Sequence, residues 1–167
     1  LAKVTDEIAV TFDSRNAIFT LGNTVLVCRL IEGTYPAYRT VIPKNNPNKM
    51  IIGRIELLNA VRRVAVCSNQ ATSHIVLKLD TNELMITAED TEFSISAYEK
   101  INCQYDGASM SIGFKAPFLA EILGNFPYEN ICMELADSCR AALIVSADEK
   151  DPTEDLCALL MPIMINS

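Results

Sequence analysis

The chain has 167 residues, half of them hydrophobic and 21% charged, a balance typical of a folded domain rather than a disordered chain. Its formal charge of −7 argues against a protein that grips nucleic acid by neutralising phosphates. No apolar run nears the roughly 20 residues that span a bilayer. Leu1 opens neither a basic leader nor a signal-type apolar core, so the sequence reads as a piece of a longer or processed protein.

Residues 1–32 predict three strands, at 8–12, 17–21 and 24–30. Gly22-Asn23 between the last two is a two-residue hairpin signal. Three antiparallel strands make a weak domain by themselves, so they read as the tail of a unit that begins upstream. A connector follows, Glu32 to Pro43. Pro36 and Pro43 forbid regular helix and bias the residue before each toward extended backbone. Tyr35 and Tyr38 suit a connector packed between domains.

Beyond a polar loop at 44–49, residues 50–52 predict a short strand. From Arg54 to Ser68 the apolar period becomes helical, with Leu57, Leu58, Val61, Val64, Ala65 and Ser68 on one stripe. Gly53 precedes this helix, and no Ser, Thr, Asp or Asn caps it. Strands are expected at 74–79, 83–88 and roughly 92–105. The pattern then repeats: a strand at 110–113, a helix at 115–125 with Pro117 near its start, and strands at 130–135, 140–146 and 156–161. Residues 50–105 and 110–161 are therefore two copies of strand, helix, three strands. The fold class is α+β, with domains expected at 1–40 and 41–167. The 148–155 loop reads as a solvated hairpin tip.

The six cysteines form no C-x-x-C pair, and His74 is the only histidine, so neither a zinc site nor any other cofactor is expected. Most of the cysteines sit in apolar runs, where a free thiol acts as a small hydrophobe, which points to reduced thiols and a cytoplasmic protein. His74 opens a strand and is assigned a structural or exposed role. No phosphate-binding loop, dinucleotide fingerprint or nucleophile elbow is present. A hydrolase would need a nucleophile–base pair that the chain does not display. The apolar tail leaves two readings from the residues alone: an edge strand of the core, or a partner-binding patch.

Four stretches in order carry a family resemblance: Glu32-Gly33-Thr34-Tyr35-Pro36-Ala37-Tyr38-Arg39-Thr40-Val41-Ile42-Pro43, Thr81 to Ala88, Met110 to Phe114, and Leu159-Leu160-Met161-Pro162-Ile163-Met164. Together they resemble the bacterial sliding clamp, the beta subunit of DNA polymerase III, from the end of its middle domain through its last domain. The resemblance implies a non-catalytic processivity factor built on the DNA-clamp fold, with helices lining a ring and sheets outside. It implies a pocket for short hydrophobic peptides of polymerases, the clamp loader and repair proteins. The matching positions are Pro36, Thr40, Val41, Thr72, Lys115, Phe118, Cys139, Ala141, Leu159, Met161, Pro162, Ile163 and Met164. The family often carries basic residues where Thr40 and Met164 stand, which bears on the pocket's polar rim.

The resemblance further implies loose, sequence-independent contact with double-stranded DNA. Arg54, Arg62, Arg63, Lys44 and Lys49 are the candidates. It implies a head-to-tail homodimer whose interface here would hold Val66 and Cys67 at the helix end and Glu92, Ser94, Ser96 and Tyr98 on an edge strand. The expected location is the bacterial cytoplasm, at the nucleoid. The competing reading is an unrelated α+β interaction module without a role on DNA.

Overall fold

A computed structural model describes residues 7–148 and 156–165. The chain divides into two compact units, Leu1–Tyr38 and Arg39–Ser167, a boundary two residues before the expected one. Most of the expected 148–155 loop, and Asn166 and Ser167, lie outside the described residues.

The first unit is a three-stranded antiparallel sheet, β1 (Ala9–Phe12), β2 (Asn16–Leu21) and β3 (Thr24–Arg29), in that spatial order. Gly22 takes φ +55° at the first of the two loop positions, which a side chain would resist. The register aligns Val10, Phe12, Ala17, Phe19, Leu26 and Cys28 on one face. Of these only Ala17 is buried, and Phe12 is 70% exposed. The sheet thus has an apolar face but no core of its own.

The second unit holds the repeat. A 3₁₀ turn (Tyr38–Thr40) leads to β4 (Asn48–Gly53), α1 (Arg54–Ala65), β5 (His74–Asp80), β6 (Glu83–Asp90) and β7 (Ile95–Asn102). The second copy is β8 (Met110–Lys115), α2 (Ala116–Asn125), β9 (Asn130–Leu135), β10 (Ala142–Ser146) and β11 (Cys157–Leu160). The copies exchange first strands. One sheet runs β11-β10-β9-β4 and the other β7-β6-β5-β8, so each sheet begins with the other copy's leading strand. Two or three residues past each copy's last strand, the chain then returns to that copy's own first strand. Gln104 pairs with Ile51, and Ile163 pairs with Gly113. This cross-bracing welds the two copies into one core.

The helices follow the apolar stripe. Leu57, Leu58, Ala60, Val61 and Val64 of α1 are buried, as are Ala116, Leu119 and Leu123 of α2. The helices pack beside each other, α1 over β5–β7 and α2 against β8 and β11. Neither has a side-chain cap. Instead, the first amide of each finds a carbonyl of the opposite copy: Arg54 N–H donates to Glu129 at 2.9 Å, and Ala116 N–H to Ser73 at 2.9 Å. Free amides at a helix start need partners, and here tertiary structure provides one in place of a local Ser or Asp.

Several boundaries depart from expectation, three of them for a visible local reason. The first helix ends at Ala65 rather than Ser68, whose hydroxyl turns back to the Ala65 carbonyl at 2.7 Å. The strand expected from Glu92 begins at Ile95. Asp90, buried, accepts from the amides of Glu92 and Phe93 at 3.0 and 3.4 Å, and Ser94 adopts φ +54°, so these residues turn. The strand expected from Arg140 begins at Ala142, because Asp137 holds the amides of Cys139 and Arg140 at 2.9 Å each.

Candidate functional site

The C-terminal segment bridges the two sheets. β11 pairs with β10 through Leu159 opposite Leu143 and Leu160 opposite Ala142. Strand pairing with β10 ends at Leu160, and Pro162 just beyond has no N–H to extend it. The Ile163 N–H then donates to the Gly113 carbonyl of β8 at 2.8 Å. Leu160 is buried in the core. Leu159, Pro162 and Ile163 are half-buried, while Met161 is 62% and Met164 79% exposed. The tail is therefore an anchored strap with its methionines outward, not a sealed core strand.

Main-chain pairing sets its neighbours. Gly113 lies two residues before Lys115, which precedes α2 and pairs with His74. Lys115 Nζ sits 6.0 Å from the centre of the Phe118 ring, which is 54% exposed. Thr72 is exposed just before β5. On the other sheet, Cys139 is exposed in the β9–β10 turn and Ala141 is buried beside it. The Ala141 carbonyl accepts from the Asn46 side chain at 3.1 Å. Val41 is 63% exposed. Thr40 and Val41 open the second unit, whereas Pro36 belongs to the first. Strand pairing thus joins the tail to the Lys115–Phe118 segment on one side and to β10 on the other. What this surface offers is soft apolar area, with methionines that adapt to varied shapes and one cation near an aromatic ring.

The cations expected to face a duplex are largely committed elsewhere. The expectation for Arg54 gives way to a different role. Its Nε donates to the Tyr128 carbonyl at 2.6 Å and its Nη1 to the Leu123 carbonyl at 2.8 Å, closing the C-terminal end of α2. A guanidinium suits a site with two fixed acceptors. Arg63 makes two bonds to Glu99 of β7, at 2.9 and 2.5 Å. That contact raises the Arg63 pKa and lowers that of Glu99. Lys49 meets Glu134 at 3.0 Å, and hydrogen bonding to that carboxylate raises its pKa. These pairs are exposed and contribute little to stability, but they reduce the local field. Arg62 and Lys44 are exposed, and neither takes part in an ion pair among the described residues.

β7 is an edge strand, as expected, and carries Ser96 and Tyr98. Tyr98 is 73% exposed and Val66 79%; Cys67 is half-buried. Glu92 and Ser94 lie in the preceding turn rather than on the edge. Sequence reading missed Phe93 and Ile95, which are 71% and 43% exposed beside them. Two large apolar side chains flanking Ser94, just after an Asp-Thr turn signal, were the available clue. Among the described residues no group of three or more His, Cys, Asp or Glu gathers as metal ligands would. All six cysteines are free thiols. No helix is long and apolar enough to cross a membrane among the described residues.

Comparison with known proteins follows the same outline. Residues 39–163 match the family model for the DNA polymerase III beta subunit, C-terminal domain. The chain is 34% identical over 139 residues to the beta sliding clamp of Escherichia coli K12, covering 83% of this chain and 37% of the relative. It is 32% identical over 130 residues to that of Haemophilus influenzae, covering 77% and 35%. The chain thus spans little more than a third of the curated relatives it matches. Among solved structures, a DnaN sliding clamp from Bartonella birtlesii bound to griselimycin aligns with TM-score 0.89 and 26% identity, over 98% of this chain and 43% of that one. A sliding clamp from Pseudomonas aeruginosa solved with a ligand aligns with TM-score 0.86 and 27% identity, over 95% and 42%. The clamp fold that the resemblance implies is the fold observed, and this chain belongs to the family of the DNA polymerase III beta subunit, the bacterial sliding clamp, matching its C-terminal domain.

Proposed function

We propose that this chain is the partner-binding part of a processivity clamp, a non-catalytic subunit that keeps a replicative polymerase on its template in the bacterial cytoplasm, at the nucleoid. The observation that carries the proposal is the exposed tail: Met161 and Met164 face outward on a strap held between two sheets, with Phe118 half-exposed near its anchor point. A short peptide with Leu and Phe anchors would bury its apolar side chains against this surface. The peptide would come from a polymerase, a clamp loader or a repair protein. Two related structures support a ligand-binding surface in the family. The Bartonella birtlesii clamp was solved with griselimycin, and the C. crescentus clamp with PEG at a proposed beta-motif tethering region.

In the whole protein, the helix layer would face double-stranded DNA, with Arg62 on α1 and Lys44 in the loop before β4 as the candidate cations outside any ion pair among the described residues and contact that is loose and independent of sequence. The β7 edge, with Val66, Ser96 and Tyr98, would meet a second copy head to tail. Thr40 and Met164 stand where relatives often place basic residues, so the rim would recognise acidic peptide groups weakly.

The test is fluorescence polarisation with a labelled Gln-Leu-x-Leu-Phe-type peptide. Weak, saturable binding is expected, reduced at least fivefold by Phe118→Ala or Met161→Ala. Absence of any change up to about millimolar protein would overturn the reading.

A further inference from the structure

The only histidine of the chain lies under the tail strap. His74, first residue of β5, is half-buried, and its Nε2 is enclosed without a hydrogen-bond partner among the described residues. Gly113 explains the fit. A Cβ built there would collide with His74 Nε2, meet the Ile163 carbonyl oxygen at 2.9 Å and crowd Ile165 Cγ1 at 3.2 Å. Imidazole, glycine and tail are therefore stacked at one point, beside the bond from Ile163 N–H to the Gly113 carbonyl. His74 also lines a groove of about 490 Å³ on the outer face of the sheet, roofed at one end by Met164 and Ile165.

We propose that His74 is a proton-operated latch: the neutral imidazole permits the tail to lie closed on Gly113, and its protonation frees residues 161–165 from β8. A neutral ring tolerates an enclosed nitrogen at modest cost, but an imidazolium must donate from both nitrogens. An enclosed charged donor with no acceptor carries a much larger desolvation penalty. The charged groups around the ring do not remove it. Lys115 is its partner on β8 and Lys78 shares its strand, and both repel a second cation. Glu89 of β6 and Tyr98 of β7 line the same groove, but neither hydrogen-bonds the enclosed Nε2. Residues 161–165 bear no ionisable side chain.

The direction of the effect follows. Burial pushes the His74 pKa below its ordinary 6.5, so the closed tail binds fewer protons than the open one. Closure is at full strength above 6.5 and weakens as pH falls below it. The latch stands apart from the peptide reading, and only its consequence rests on that reading: a peptide that uses Pro162, Ile163 and Met164 would lose affinity on acidification.

Amide hydrogen exchange of Ile163 tests the latch without any peptide. In the ¹⁵N-labelled chain, after correction for intrinsic exchange, protection of Ile163 should fall by up to about tenfold per pH unit below pH 6.5, while the core amide of Leu77 keeps its protection. His74→Gln should make the Ile163 profile flat. Should that variant fail to fold, the wild-type ring decides, because its one imidazole signal must titrate with the midpoint of the Ile163 change. Protection that stays constant, or rises because the imidazolium finds the Ile163 carbonyl, would overturn the proposal. So would the same fall in His74→Gln, or two different midpoints.

Discussion

Replacing Arg54 by methionine keeps an unbranched stem but removes the guanidinium that closes the end of α2. Two bonds go, to the carbonyls of Tyr128 and Leu123 at 2.6 and 2.8 Å. A hydrogen bond from a charged donor contributes about 1.5–3 kcal/mol. Arg54 is only half-buried, and water can reach part of what it leaves. The low end of about 1.5 kcal/mol each, discounted further for that access, gives a loss of about 2–3 kcal/mol for the pair. For a unit of this size each kcal/mol moves the midpoint by about 3–5 °C, so the melt should drop by roughly 6–15 °C. Arg54→Lys should recover less than half, since an ammonium cannot span both acceptors. Differential scanning calorimetry gives the number, and amide exchange should place the loosening at 123–129. In the whole protein, Arg54→Met should leave the salt dependence of DNA association unchanged, whereas Arg62→Met should make it shallower. A stability loss below about 0.5 kcal/mol, or a shallower salt dependence in Arg54→Met, would refute the assignment of Arg54 as a brace.

Phe118→Ala and Met161→Ala should each weaken peptide binding yet cost less than about 1 kcal/mol of stability, because both side chains are largely exposed; titration calorimetry and thermal melts check the two halves. Gly113→Ala should loosen the tail and destabilise the unit by about 1–3 kcal/mol through crowding against Ile163 and Ile165, visible as faster exchange of Ile163. Asp148 accepts from the amides of Asn130 and Glu129 and from the Asn130 side chain, and these bonds hold its pKa below the ordinary 3.8. Its contribution is therefore present above pH 3.8 and lost as pH falls through the lower folded value. Asp148→Asn should flatten the acid limb of stability, as followed by circular dichroism.

Much of the fold was legible because its signals are local. The 3.6-residue stripe of α1 and the alternation of β5 and β6 follow from burying one face. The duplication was visible as a repeated order of elements. The exchange of β4 and β8 between copies was not, since strand partners far apart in sequence leave no mark on either strand. The same limit explains Arg54. Its acceptors are backbone carbonyls of residues 123 and 128, which no side-chain pattern announces. Arg63 and Lys49 likewise looked free because Glu99 and Glu134 lie 36 and 85 positions away. The missing cap of the first helix signalled something real: a tertiary carbonyl stands in for a side chain. The turn that displaces Glu92 and Ser94 from the edge strand hinges on Asp90, which looked like ordinary turn chemistry but is buried. At the tail, the residues alone left an edge strand and a partner patch open. The structure puts Leu160 in the core and the two methionines outside.

The most direct measurement uses the six methionine methyl groups. In a methyl-labelled sample titrated with the Gln-Leu-x-Leu-Phe-type peptide, Met161 and Met164 should shift and saturate together. Met50 and Met133, fully buried in the core, should stay in place. A titration that leaves Met161 and Met164 unmoved while the peptide binds elsewhere, or that moves no methyl at all, would contradict the account.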